Sequence, residues 1–172
     1  MDAPGTRGVR VRQVGDVMRR RFIALSPGDS LLDAERLMRI ARVRYLPVVS
    51  GATLVGVLSN RDLLESSVEP SRTSPEALGR FLLETRVAEL MNANPKVVTP
   101  DSPLAEAARL LLESGEGCLP VVDARGPAPR LLGIVTENDL LRAAYEPRPE
   151  NRDRPEARPA PAPRRGAAPQ GR

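Results

Sequence analysis

The chain repeats itself. Sliding it by 73 positions lays residues 14–50 over 87–123 without a gap and matches eleven of 37 positions, among them Met18 with Met91, Pro27 with Pro100, Leu31 with Leu104, Ala34 with Ala107 and Leu37 with Leu110. The run Leu46-Pro47-Val48-Val49 falls on Leu119-Pro120-Val121-Val122. After a four-residue insertion around Gly126-Pro127-Ala128-Pro129 the offset becomes 77, and Leu54 to Ser59 meets Leu131 to Thr136, with Asp62-Leu63-Leu64 on Asp139-Leu140-Leu141. About four or five identities would be expected by chance over this alignment of a leucine-rich chain, and sixteen of 48 are found. Two copies of one supersecondary unit must therefore stack to bury a common core.

Each copy carries the same order of elements. Phe22–Leu25 and Lys96–Val98 read as short apolar strands, ended at Ser26-Pro27 and Thr99-Pro100 because proline drives the residue before it out of the helical region. A helix follows in both, with Leu31, Ala34, Leu37, Met38 and Ala41 on one face in the first copy and Leu104, Ala107, Ala108, Leu110 and Leu111 in the second. Ser102 before Pro103 predicts an N-cap followed by proline at the first helical position, and Gly115 or Gly117 a stop that the first copy lacks. Strands are expected at Tyr45–Val49 and Leu54–Leu58, and again at Cys118–Val122 and Leu131–Val135. A second helix closes each copy, from Asn60 to about Ser67 and from Glu137 to about Ala144.

Between the copies, Glu69 to Pro75 reads as a loop and Glu76–Glu84 as a connecting helix. Past Tyr145, seven prolines in 27 residues and little to bury predict a disordered tail. The expected organisation is thus a first repeat over 14–67, a linker with its helix over 68–86, a second repeat over 87–145 and a Pro/Arg-rich tail over 146–172. The fold class is α/β (α+β), with each repeat a β-α-β-β-α unit and the two related by a pseudo-twofold axis.

Composition narrows the chemistry. With two Phe, two Tyr and no Trp in 172 residues, the core must be aliphatic. A single cysteine and no histidine exclude an internal disulfide, the Ser-His-Asp and Cys-His schemes, and a structural zinc site, so no catalytic residue and no metal ligand is assigned. Of the net charge of +4, the tail carries seven Arg against four acidic residues, which leaves positions 1–145 nearly neutral and argues against a nucleic-acid face on the fold. No signal peptide or membrane-spanning run is evident, so a cytoplasmic protein with no membrane partner is expected.

The sharpest local feature closes each copy: Gly56-Val57-Leu58-Ser59-Asn60-Arg61-Asp62 and Gly133-Ile134-Val135-Thr136-Glu137-Asn138-Asp139. A strand delivers a hydroxyl to a helix start and an Asp follows three residues on, which is the pattern of a capping box. A carboxylate there can also take both hydroxyls of a ribose, while the hydroxyl residue and the free N–H groups of the helix start suit ribose or phosphate. Capping and binding both remain open. Arg44 and Arg61 are either phosphate partners or solvated charges, Tyr45 stacks on a base or edges the core, and Cys118 is a small buried apolar residue.

In both copies this order of motifs resembles the CBS (cystathionine β-synthase) domain. The resemblance implies two repeats about a pseudo-twofold axis with two clefts between them, in which AMP, ADP, ATP, S-adenosylmethionine or a related adenosine compound is held as a regulatory ligand, with no cofactor required. By it Asp62 and Asp139 hold ribose hydroxyls, and Ser59 and Thr136 contact ribose or phosphate. The base lies against Leu25-Ser26 or Val98-Thr99 and against Tyr45-Leu46-Pro47 or Cys118-Leu119-Pro120. Arg44 and Arg61 equip the first cleft for a charged nucleotide, where the second has Gly117 and Asn138. The expected role is a non-enzymatic sensor that forms a homodimer and biases an effector protein. Two alternatives stand beside it: a ligand-free dimerisation scaffold, and a nucleic-acid-associated regulator that uses the basic tail.

Overall fold

The computed structural model describes residues 12–145. The tail over 146–172, for which the sequence predicts disorder, lies outside the described residues. The first repeat contributes α1 (Leu31–Ala41), β1 (Tyr45–Ser50), β2 (Thr53–Ser59) and α2 (Asn60–Thr73). A connecting helix α3 (Pro75–Glu84) follows, and then the second repeat with the single turn α4 (Val87–Leu90), α5 (Leu104–Ser114), β3 (Cys118–Asp123), β4 (Arg130–Thr136) and α6 (Glu137–Tyr145). The strands form one antiparallel sheet in the order β1-β2-β4-β3, in which β2 and β4 pair at Thr53 and Arg130.

The duplication extends to hydrogen-bond register. Tyr45 pairs with Ser59 and Leu46 with Leu58, as Cys118 pairs with Thr136 and Leu119 with Val135. Each hairpin is interrupted at the same place, between Val48 and Val49 and between Val121 and Val122. The first strand of each copy shrinks to one residue. Leu25 makes a parallel bridge to Val48 and Val98 one to Val121, because the prolines end the pairing downstream while Arg19 and Asn92 upstream cross to the other repeat.

That other pairing interlocks the repeats. Arg19 N donates to Ile134 O at 2.8 Å and Ile134 N returns to Arg19 O at 3.1 Å, so the first copy's entry segment lies on the second copy's β4. The same exchange occurs in reverse between Asn92 and Val57, at 2.9 and 3.0 Å. The two cores are mixed accordingly. Val87 belongs to the core built by Leu25, Leu31, Met38, Leu46 and Leu58, whereas Val14 and Met18 belong to that of Val98, Leu111, Leu119 and Val135. A third cluster, Leu54, Val122 and Leu131 with Phe22 and Val49 against it, includes side chains from both copies. Burial of such aliphatic side chains stabilises by about 1.5–3 kcal/mol each, so neither core is complete without the other repeat's entry segment.

Three local expectations are corrected. Residues 69–73 are helical, with Pro70 inside α2; Ser67 Oγ and Thr73 Oγ1 bond back to Leu63 O and Glu69 O, and α2 packs on α3, so packing outweighs the turn-like composition. Pro103, not Ser102, is the N-cap of α5, since Ser102 Oγ accepts from Thr99 N instead. The first copy does have a left-handed stop: Arg42, at φ 54°, occupies the position of Gly115, at φ 66°.

Candidate functional site

The α2 junction is a full capping box, and the α6 junction keeps the carboxylate half of one. At the start of α2, Asp62 Oδ2 accepts from Ser59 Oγ at 2.6 Å and from Ser59 N at 3.4 Å, and Asp62 N donates to Ser59 Oγ at 3.1 Å. At the start of α6, Asp139 Oδ2 accepts from Thr136 Oγ1 at 2.7 Å and from Thr136 N at 3.0 Å. The cap uses one oxygen of each carboxylate. The other differs between the copies: Asp139 Oδ1 accepts from Arg19 Nε at 2.8 Å, whereas Asp62 Oδ1 has no hydrogen-bond partner among the described residues.

Beside Asp139 an open cleft of about 460 Å³ runs between the repeats. Arg19, Arg42, Val43, Arg44 and Tyr45 of the first repeat face Gly117, Ile134, Thr136, Glu137 and Asn138 of the second. A neighbouring hollow of about 310 Å³ shares Arg19, Val43, Tyr45 and Ile134 and adds Phe22, Ile23, Ala41 and Leu46, with Arg21 at its side. One part is thus cationic, with three guanidinium groups against the single carboxylate of Glu137, and the other is mainly apolar. Such a pairing suits an anionic group attached to a flat apolar ring.

Of the residues singled out from sequence, the cleft gathers Arg44, Tyr45, Thr136 and Asn138, with Asp139 next to it behind Arg19. Arg44 therefore shares a cleft with Thr136 of the other repeat, and not with Ser59, Arg61 and Asp62 of its own, with which the sequence groups it. Ser59, Arg61 and Asp62 do not line this cleft, and Arg61 is an exposed partner of Glu65 at 2.8 Å. Leu25 and Val98 are core residues, Pro47 and Pro120 are buried in β1 and β3, Ser26 is exposed, and Thr99 bonds to Ser102. Tyr45 lies over the backbone of Gly117, where any Cβ would overlap the phenol.

Sequence reasoning missed Arg19, Arg42, Phe22 and Ile23. The available signal was the Arg19-Arg20-Arg21 run opposite Asn92-Ala93-Asn94, a stretch where the copies diverge in charge. Burial pushes the Cys118 thiol up to about 12, with the nearby Glu116 and Asp139 charges adding to the effect, so it stays protonated and is no nucleophile at neutral pH. Among the described residues no helix is long and apolar enough to cross a membrane, and no group of acidic or cysteine side chains is placed to hold a metal ion.

Two interlocked β-hairpin and helix repeats, with a polar cleft between them beside a strand-to-helix junction, define a paired-repeat α/β module. The family model for the CBS domain matches residues 14–69 and 87–146, and the chain belongs to that family. It is 35% identical over 154 residues to the CBS domain-containing protein CBSX2, chloroplastic, of Arabidopsis thaliana, a match covering 77% of this chain and 63% of that protein's length. The crystal structure of CBSX2 in complex with AMP superposes with a TM-score of 0.64 at 39% identity, covering 77% of this chain and 95% of that one. The cytosolic domain of the Mg2+ channel MgtE in complex with ATP gives a TM-score of 0.59 at 33% identity, over 77% and 48% of the two chains. A magnesium transporter MgtE of Thermus thermophilus is also a sequence relative, 33% identical over 135 residues and matched over 75% of this chain and 26% of its own length. The CBS pair of MJ0100, solved with 5-methylthioadenosine and S-adenosyl-L-methionine, shares the fold, at a TM-score of 0.65 and 21% identity, over 78% and 96%.

Proposed function

We propose that this chain is a regulatory module that binds an adenosine-containing ligand in the cleft beside Thr136 and Asp139 and performs no chemistry on it. The observation that carries the reading is the juxtaposition of a helix-capping carboxylate with an adjoining cleft to which the opposite repeat brings three arginines and an apolar hollow. Asp139 meets the ribose, the arginines meet phosphate, and Phe22, Ile23 and Leu46 bound the base. Ligands crystallised with CBSX2 and MgtE are adenine nucleotides, which supports the same class here.

Because the cleft is walled by both repeats, a ligand that prefers one arrangement of them shifts the population toward it and so biases a partner protein. Thermal unfolding in the presence of AMP, ADP, ATP, 5-methylthioadenosine and S-adenosylmethionine tests the reading. A nucleotide at a hundred times its Kd stabilises by about 2.7 kcal/mol, a rise in Tm of about 5–10 °C. No shift with any of them at millimolar concentration overturns it.

Self-association is part of the same proposal. Leu64 of α2 and Leu141 of α6 occupy equivalent positions and are both more than half exposed, and Ile40 of α1 and Leu112 of α5 are more exposed still. Exposed apolar side chains, of which Leu64 and Leu141 are repeated by the internal symmetry, suit a symmetric partner surface. Light scattering at tens of micromolar is expected to give twice the chain mass of 18.6 kDa. A monomeric mass rejects the dimer.

A further inference from the structure

We propose that Arg19 is a selectivity switch: it holds Asp139, yields that carboxylate to a ribose, and takes the ligand's 5′-phosphate in exchange. The cleft then favours phosphorylated adenosines over the bare nucleoside. The proposal rests on the reading of Asp139 as the ribose partner.

The geometry supplies each step. Asp139 Oδ2 is committed to the α6 cap, so Oδ1 is the acceptor left for a diol, and Arg19 Nε sits on it at 2.8 Å. Asp139 is 7% exposed while the Arg19 side chain is 45% exposed, so the carboxylate is fixed and the guanidinium has room to turn. Its backbone stays in place when it does, because N and O are both paired to Ile134. Among the described residues the terminal nitrogens of Arg19 donate to no protein acceptor, which leaves them for phosphate oxygens.

The device belongs to one cleft only. The position equivalent to Arg19 is Asn92, whose Nδ2 donates to Glu116 Oε1 at 2.6 Å, and Asp62 Oδ1 accepts from no described residue. Adenosine must break a charge-assisted bond and offers the guanidinium nothing in return. AMP breaks the same bond and replaces it with one to its phosphate, joining Arg42 and Arg44, so the exchange is nearly even.

Calorimetric titration of the full chain with adenosine and with AMP, on wild type and Arg19→Ala, shows tighter adenosine binding beside nearly unchanged AMP binding if the switch operates. Freed Asp139 should take adenosine roughly tenfold more tightly, while AMP, which loses a phosphate partner but no longer has to displace Arg19, should change by no more than about threefold, so selectivity falls about tenfold. Arg19→Gln, which keeps the stem and removes the charge, serves if Arg19→Ala does not fold. Weakening of both ligands alike, or no change in either, overturns the switch and leaves the nucleotide reading standing so long as wild type binds AMP. If wild type binds neither ligand, the nucleotide reading fails and the switch with it.

Discussion

Gly133→Ala is expected to destabilise the chain by about 2–4 kcal/mol, a fall in Tm of roughly 5–15 °C. A Cβ at Gly133 would stand 2.6 Å from Arg19 O and 3.4 Å from its carbonyl carbon, with Met18 Sδ at 3.5 Å. The obstacle is backbone, so no rotamer change relieves it. The entry segment must lift away, losing both hydrogen bonds between Arg19 and Ile134 and drawing Met18 out of the second core. Gly56→Ala meets the mirrored contact, with Asn92 O at 2.9 Å, but its nearest atom is the sulfur of Met91, which can move. It should cost somewhat less. Gly28→Ala is the control, since nothing lies within 4 Å of a Cβ there, and it should change stability by no more than about 0.5 kcal/mol. Urea unfolding of the three variants reads the order directly, and a Gly133→Ala midpoint equal to that of wild type would show that the entry segment is not held against β4.

These glycines also show how far the sequence could be read. The duplication, the hairpins and the helix faces follow from periodicity and self-alignment, and the strand ends Tyr45, Ser59, Cys118 and Thr136 fall within a residue of the expected ones. The glycine before each Val-Leu-Ser or Ile-Val-Thr run was legible as a motif but not as a cause, because its cause is a backbone from the other repeat. The crossing itself is a long-range event, carried by isolated bridges at Gln13 and Arg19 on one side and at Arg86 and Asn92 on the other, and such bridges leave no local pattern. For the same reason Arg44 and Tyr45 could be named as binding residues while the junction they face, Thr136 and Asn138, could not be assigned to them. The helical reach of α2 through Pro70 was hidden differently: Ser, Pro and Glu in succession compose a turn by propensity, and only the hydroxyl back-bonds and the packing on α3 make them a helix.

Arginine content gave equally little warning. Twenty-five arginines against one lysine dilute any single position, and Arg61, the one nearest the capping motif in sequence, is an exposed ion-pair partner of Glu65 outside the cleft. An exposed i,i+4 pair of that kind contributes little to stability. Arg19, 120 residues from Asp139 in the chain, is the one the fold brings to a capping carboxylate. Charge becomes informative only after the topology has chosen which arginines meet.

The second large effect is on binding, at Asp139. Asp139→Asn is expected to weaken adenine nucleotide binding by about 1.5–3 kcal/mol, ten- to about a hundredfold, while lowering stability by no more than about 1 kcal/mol. The amide oxygen can keep the position of Oδ2 and accept from Thr136 N and Oγ1, so the α6 cap survives. The amide nitrogen then takes the position of Oδ1, where it points a donor at Arg19 Nε and at any ribose hydroxyl that would donate. Asp139→Ala removes the cap as well, and should lose the same affinity with a larger fall in stability, by about 1–2 kcal/mol. Asp62→Asn gives the comparison, because Asp62 has the same cap through Ser59 and lies outside the described cleft. Its stability should follow that of Asp139→Asn, and its affinity should stay at the wild-type value if the cleft beside Thr136 is the only one occupied. Calorimetry for affinity and urea unfolding for stability, on the same preparations, separate the two roles of the carboxylate. Wild-type affinity in Asp139→Asn would mean that the aspartate serves the helix alone and that the ligand, if bound, is held elsewhere.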